Sequence, residues 1–141
     1  MEVYLDRYPN VKVFLDDAKN LAKENGYVLT MLNRRRFIPE IKSSNKIVKA
    51  LGERLAMNAP IQGTAADIIK IAMINVYNRL IDEKLKSRLI LQVHDELILN
   101  VKKDEEEIVR KLVKEEMENA LKLKVKMDVD INEGNNWYEA K

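Results

Sequence analysis

An aliphatic run, Leu89-Ile90-Leu91-Gln92-Val93, stops at three polar side chains, His94, Asp95 and Glu96. A second aliphatic run begins at Leu97. Two adjacent carboxylates on a rigid hairpin suit a hard divalent cation such as Mg2+, which takes a few carboxylate oxygens and keeps waters for substrate phosphates. A hairpin also fixes its ligands better than a loop does. In two-metal phosphoryl transfer, such carboxylates place the ions that stabilise the attacking and leaving oxygens. The bland account of the same residues is a solvated turn, which accounts for polar side chains here without any chemistry. His94 is the single histidine, and a lone histidine is more often a hydrogen-bonded surface residue than a catalyst.

A second group is Arg54, Asn58 and Gln62, spaced by four. On a continuous helix they share a face. Arginine can hold phosphate, and Asn and Gln can donate to the minor-groove acceptors common to every base pair. Such a face would touch a duplex without reading its sequence, although a solvated helix face explains it as well. Arg34, Arg35 and Arg36 form a third group, a basic cluster suited to a phosphate backbone. Lys122, Lys124 and Lys126 alternate as the outer face of a strand would. Glu105, Glu106 and Glu107 fit a helix start, where the dipole favours acids.

The elements that must carry these residues follow from periodicity. Val11, Phe14, Leu15, Ala18, Leu21 and Ala22 recur at helical spacing up to a stop at Gly26. Tyr27–Thr30 and Arg36–Ile38 are β-prone and flank a turn at Asn33-Arg34. Pro39 ends the second run. Ser43, Ser44 and Asn45 offer a helix cap, and Ile47, Val48, Leu51 and Leu55 an apolar stripe. Pro60 predicts a kink or a new helix start. The stripe resumes from Ala65 to Leu80, and the two aliphatic runs around residues 94–96 form an antiparallel hairpin. Asp104 with Glu107 predicts a cap for a helix carrying Ile108, Val109, Leu112, Val113 and Met117 on one face. Alternation from Val125 to Ile131 predicts a half-buried strand. The class is α+β: long amphipathic helices packed on a small antiparallel sheet that contains the hairpin.

Of 141 residues, 46% are hydrophobic, enough for a packed core. The 25 basic and 23 acidic side chains leave a net charge of +2, too small to indicate nucleic acid unaided. There is no cysteine, which excludes disulfides and thiolate metal sites. The opening Met1-Glu2-Val3-Tyr4-Leu5-Asp6-Arg7 does not look like a signal peptide. No apolar run approaches the ~20 residues that cross a bilayer. A cytoplasmic location away from membranes is the expectation.

Together these segments resemble the family A DNA polymerases of the bacterial DNA polymerase I type. Leu91-Gln92-Val93-His94-Asp95-Glu96-Leu97 is similar to their motif C. The stretch Glu53–Asp67, containing Arg54, Asn58, Pro60, Gln62 and Gly63, resembles the family block that precedes it. Thr30–Pro39 is similar to the arginine-rich segment, with Asn33 where many relatives carry glycine. Arg7-Tyr8-Pro9 with Val11 and the closing Trp137-Tyr138-Glu139-Ala140-Lys141 also fit.

The resemblance implies that Asp95 binds catalytic metal, that Glu96 supports it, and that His94 lies near the primer terminus. It implies that Arg54, Asn58 and Gln62 contact template or primer, the latter two toward the minor groove, and that Arg34, Arg35 and Arg36 lie near the template strand. Residues 1–45 would correspond to the end of the fingers, with a helix and the arginine-rich hairpin. Residues 46–141 would be a partial palm with the motif C hairpin.

The family's other metal-binding aspartate lies in a motif like Asp-Tyr-Ser-Gln-Ile-Glu, which this sequence lacks. The nucleotide-binding fingers helix, the thumb and any exonuclease domain are also missing. The implied two-metal Mg2+ site is therefore only partly supplied here. The implied partners are primer-template DNA, deoxynucleoside triphosphates and a second chain or longer parent carrying the remaining polymerase. Two other accounts stay open: a non-catalytic duplex-DNA-binding module, and an inactive truncated piece that self-associates through an uncovered sheet edge.

Overall fold

The computed structural model describes residues 6–140. Met1–Leu5 of the opening stretch and Lys141 of the closing motif lie outside the described residues. The chain forms two compact units, Met1–Ala65 and Ala66–Lys141. By compactness the chain divides after Ala65. The reason is helix α2, Lys46–Asp82, whose first part packs on the preceding elements.

In the first unit, helix α1 (Pro9–Asn25) opens with Pro9 in its first turn and stops at Gly26, whose φ of 78° is the left-handed conformation glycine tolerates. Strands β1 (Tyr27–Leu29) and β2 (Arg35–Phe37) pair antiparallel, with Val28 opposite Arg36. The turn between them places Asn33 at φ 61°, which asparagine accepts more readily than most residues. A 3-10 turn at Pro39–Lys42 follows. Asn45 then caps α2 as anticipated: its Oδ1 accepts the Ile47 amide at 2.9 Å.

The α2 face toward this layer is small. Gly52 and Ala56 are buried, and Leu55 and Ala59 pack on a core of Ala22, Val28, Ile38 and Ile41. A Cβ at Gly52 would lie 2.6 Å from the Ile41 amide nitrogen, so glycine is what lets the two backbones meet. Helix α2 continues unbroken through Pro60, and no new helix starts there. Proline forfeits a backbone donor at that point. Packing on both sides of it, at Ala56, Ala59 and Thr64, keeps the flanking turns helical.

In the second unit, the later turns of α2 bury Val76 and Leu80 against Val109, Leu112 and Val113 of helix α3 (Glu106–Glu118). Truncating a residue as buried as Leu112 to alanine costs roughly 2–5 kcal/mol. Arg79 joins the two helices by donating to Glu83 at 2.8 Å, Glu115 at 2.7 Å and Glu116 at 3.1 Å. These carboxylates, Glu115 foremost, raise its pKa above the ordinary arginine value.

Strands β3 (Arg88–Val93) and β4 (Glu96–Asn100) form the anticipated hairpin. Its register shifts between Leu89 and Leu91. Leu89 packs with Leu97 and Leu99 on the helical core, whereas Leu91 pairs with Ile98 on the other face and is 46% exposed.

The class is α+β, with two separate two-stranded sheets. Two expectations need correction. Val125–Ile131 forms no strand. Its side chains alternate only from Met127, with Met127, Val129 and Ile131 half-buried and Asp128 and Asp130 exposed, whereas Val125, expected on the buried face, is exposed. It joins no ladder among the described residues. Asp104 does not cap α3 either. Its carboxylate takes the Lys102 ammonium, while Glu105 occupies the N-cap position without a side-chain cap bond.

Candidate functional site

His94 and Asp95 are the two central residues of the β3–β4 turn, since Val93 pairs directly with Glu96. All three polar residues are exposed. His94 has φ 52°, and Asp95 is not among the positive-φ residues. A positive φ at the first position alone matches a type II′ hairpin turn, where glycine is the usual occupant. A histidine there costs on the order of 1 kcal/mol, and the surroundings must hold it. Gln92 does so: its Nε2 donates to the His94 carbonyl at 2.6 Å. Gln92 lies within the motif, but its residue type alone gives no sign of this role.

Strand alternation directs Glu96 and Ile98 to the face opposite Leu97 and Leu99. Glu96 therefore points away from the helical core. Among the described residues no group of three or more His, Cys, Asp or Glu side chains could hold a metal ion. Asp95 and Glu96 have the donor chemistry for Mg2+, which takes one or two carboxylates and fills its other positions with water and phosphate.

The base of the hairpin is clamped by Glu105. Its carboxylate accepts the Lys86 amide at 2.9 Å, the Ser87 amide at 2.8 Å and the Ser87 hydroxyl at 2.7 Å. Ser87, itself buried, accepts the Lys102 amide at 3.0 Å, so both strands meet at one carboxylate. The Lys86 amide and the Ser87 hydroxyl lower the Glu105 pKa from 4.5 to about 2.

In the first unit, Arg54, Asn58 and Gln62 are all exposed along α2, on a different side from Gly52 and Ala56. Arg54 edges a shallow groove of about 560 Å³ lined mainly by apolar atoms of Ile47, Leu51 and Met57.

The three arginines do not form one patch. Arg34 turns back to donate from Nη2 to the Gly63 carbonyl at 3.0 Å. Arg35 lies 4.9 Å over the Tyr27 ring, which meets Phe37 edge-on at 5.8 Å. Arg36, paired with Val28, belongs to the opposite face of the hairpin. Strand alternation separates Arg35 from Arg36, and the bond to Gly63 draws Arg34 a third way.

The sequence profile of "DNA polymerase family A" matches residues 1–139. The chain belongs to DNA polymerase family A. It is 54% identical over 138 residues to DNA polymerase I of Caldicellulosiruptor bescii, covering 98% of this chain and 16% of that protein. DNA polymerase I of Bacillus subtilis is 51% identical over the same share of each. Among solved structures, the POL domain of Pol1 from M. smegmatis, in complex with DNA primer-template and dNTP, superposes with a TM-score of 0.94 at 48% identity. That match covers 99% of this chain and 25% of the solved one. This family A chain thus spans about a sixth of the length of the curated relatives it matches.

Proposed function

We propose that this chain works as part of a DNA-directed DNA polymerase, supplying one metal-binding aspartate and a face that senses primer-template duplex. The observation that carries the reading is the exposed carboxylate of Asp95 at a two-residue turn, in a chain whose family match runs through residues 1–139. The reaction is attack of a primer 3′-hydroxyl on the α-phosphate of a deoxynucleoside triphosphate, releasing pyrophosphate.

Asp95, assisted by Glu96, would hold Mg2+ together with a carboxylate from outside this chain. When bound, the metal pair stabilises the charge on the attacking and leaving oxygens. His94, forced outward by the turn, would stand beside the primer terminus. Arg54 would hold a phosphate, and Asn58 and Gln62 would donate to minor-groove acceptors. The remaining palm, fingers and thumb would come from a second chain or a longer parent. The working location would be the cytoplasm, where bacterial relatives meet DNA.

The experiment joins this chain to the rest of the C. bescii polymerase in place of the matching segment. Primer extension by the joined protein, and none by the isolated chain, is the predicted result. Extension by the isolated chain would contradict it, because positioning and charge neutralisation need both halves of the site. One observation favours a second reading. Arg54, Asn58 and Gln62 are exposed along one helix, a face by which the chain alone would act as a duplex-binding module. Salt-dependent duplex binding that ignores Mg2+ and survives Asp95→Ala, with no extension after joining, would establish it.

A further inference from the structure

The turn of the first hairpin is fastened to α2 directly beside Gln62. The Met31 amide donates to Thr64 Oγ1 at 3.0 Å, and the Thr64 hydroxyl donates to the Pro60 carbonyl at 2.6 Å. Arg34 Nη2 donates to the Gly63 carbonyl at 3.0 Å. The turn is braced from within by the Arg34 amide, which donates to Thr30 Oγ1 at 3.1 Å, and by the Thr30 amide, which donates to the Arg34 carbonyl at 3.0 Å. Thr30 Cγ2 fills the space over Gly63: a Cβ there would lie 2.6 Å from it. Thr30 and Thr64 are both buried, at 6% and 7% exposure. These contacts bracket the helix turn from Pro60 to Thr64, which directly follows the bond that Pro60 cannot donate to the Ala56 carbonyl and carries exposed Gln62 in its middle.

From this we infer that Thr64 and Arg34 are positioning residues for Gln62, and that Arg34 acts through the Gly63 carbonyl and not through a phosphate. The inference rests on the reading of Gln62 proposed above. A helix missing the ladder bond from residue 60 to residue 56 would otherwise hinge just before Gln62, and a side-chain amide reaching a base edge tolerates little displacement. The Thr64 hydroxyl joins the hairpin amide to the proline carbonyl, so hairpin and helix move together.

The latch is tested first in the 141-residue chain itself. Exchange of the Met31 amide should be slow, faster by about tenfold in Thr64→Val, which removes the hydroxyl at nearly constant shape, and slow again in Thr64→Ser. The joined polymerase then tests the positioning. Gln62→Ala should weaken primer-template binding by about tenfold and Thr64→Val by about fivefold. Their combination should be no weaker than Gln62→Ala within about twofold. Arg34→Gln should weaken binding without changing its salt dependence, whereas loss of a phosphate contact lowers the logarithmic slope by about 0.9.

Equal Met31 exchange in parent and Thr64→Val would overturn the latch. Independent, multiplying effects of Thr64→Val and Gln62→Ala, or a salt slope lowered by Arg34→Gln, would overturn the positioning role while leaving the polymerase reading intact. Unchanged binding in Gln62→Ala would overturn the reading of Gln62 and the positioning claim with it.

Discussion

The side-chain amide of Gln92 reaches across the motif C turn to the carbonyl of His94, 2.6 Å away. This bond holds a histidine at φ 52°, in a place suited to glycine. The strain bears on function because the same backbone fixes where Asp95 begins.

Replacing His94 should therefore separate stability from activity. His94→Gly removes the left-handed penalty of about 1–2 kcal/mol and adds about 0.5–1 kcal/mol of chain entropy cost. A net gain of about 0.5–1 kcal/mol in urea unfolding is expected, with slower extension by the joined polymerase. Gln92→Ala should lose about 0.5–1.5 kcal/mol. A His94→Gly chain that melts no later than the parent would show that the turn stores no strain.

Acid should loosen the base of the hairpin. The Glu105 carboxyl is lowered in the fold from 4.5 to about 2, so its contribution is complete above about pH 4.5. It is lost as pH falls from there through about 2. Circular dichroism across that range should show the parent losing stability more steeply than Glu105→Gln. Parallel curves would mean that Glu105 does not hold Lys86 and Ser87.

The two close-approach glycines should respond differently to alanine. Alanine gains about 1 kcal/mol of helix propensity at either. At Gly52 the new methyl meets Ile41 and Glu40 backbone atoms within 3 Å, which no side-chain rotation relieves. At Gly63 it meets the Thr30 methyl first. Overpacking costs about 1–3 kcal/mol, so Gly52→Ala should be the more destabilising, by about 1–2 kcal/mol net. Thermal melts of both variants decide the order, and a stabilised Gly52→Ala would contradict it.

Much of this architecture is legible in the residues themselves. Gly26, Asn33, Pro39 and Asn45 stop, turn or start elements where the chain does so, because each carries a specific backbone preference. The turn at His94–Asp95 is visible as a polar break between aliphatic runs. What is hidden depends on tertiary partners. Val125–Ile131 has strand alternation from Met127 onward but joins no ladder among the described residues. The register shift at Ile90 is invisible because the residues around it are aliphatic on both faces. Pro60 looks like a break, and packing on both sides overrides it. Of the candidate site, the exposed positions of Asp95, Glu96, Arg54, Asn58 and Gln62 follow from the sequence. The separate directions of Arg34, Arg35 and Arg36, and the supporting bonds from Gln92, Thr64 and Glu105, do not, since each depends on which backbone atom a side chain meets.

Single-turnover primer extension by the joined polymerase with Mg2+, comparing the parent with Asp95→Ala while measuring primer-template affinity in parallel, tests the central claim most directly. A metal ligand is worth several kcal/mol in the transition state, so the rate should fall by about a thousandfold or more with DNA affinity within about twofold. Extension by Asp95→Ala within about tenfold of the parent would contradict the account.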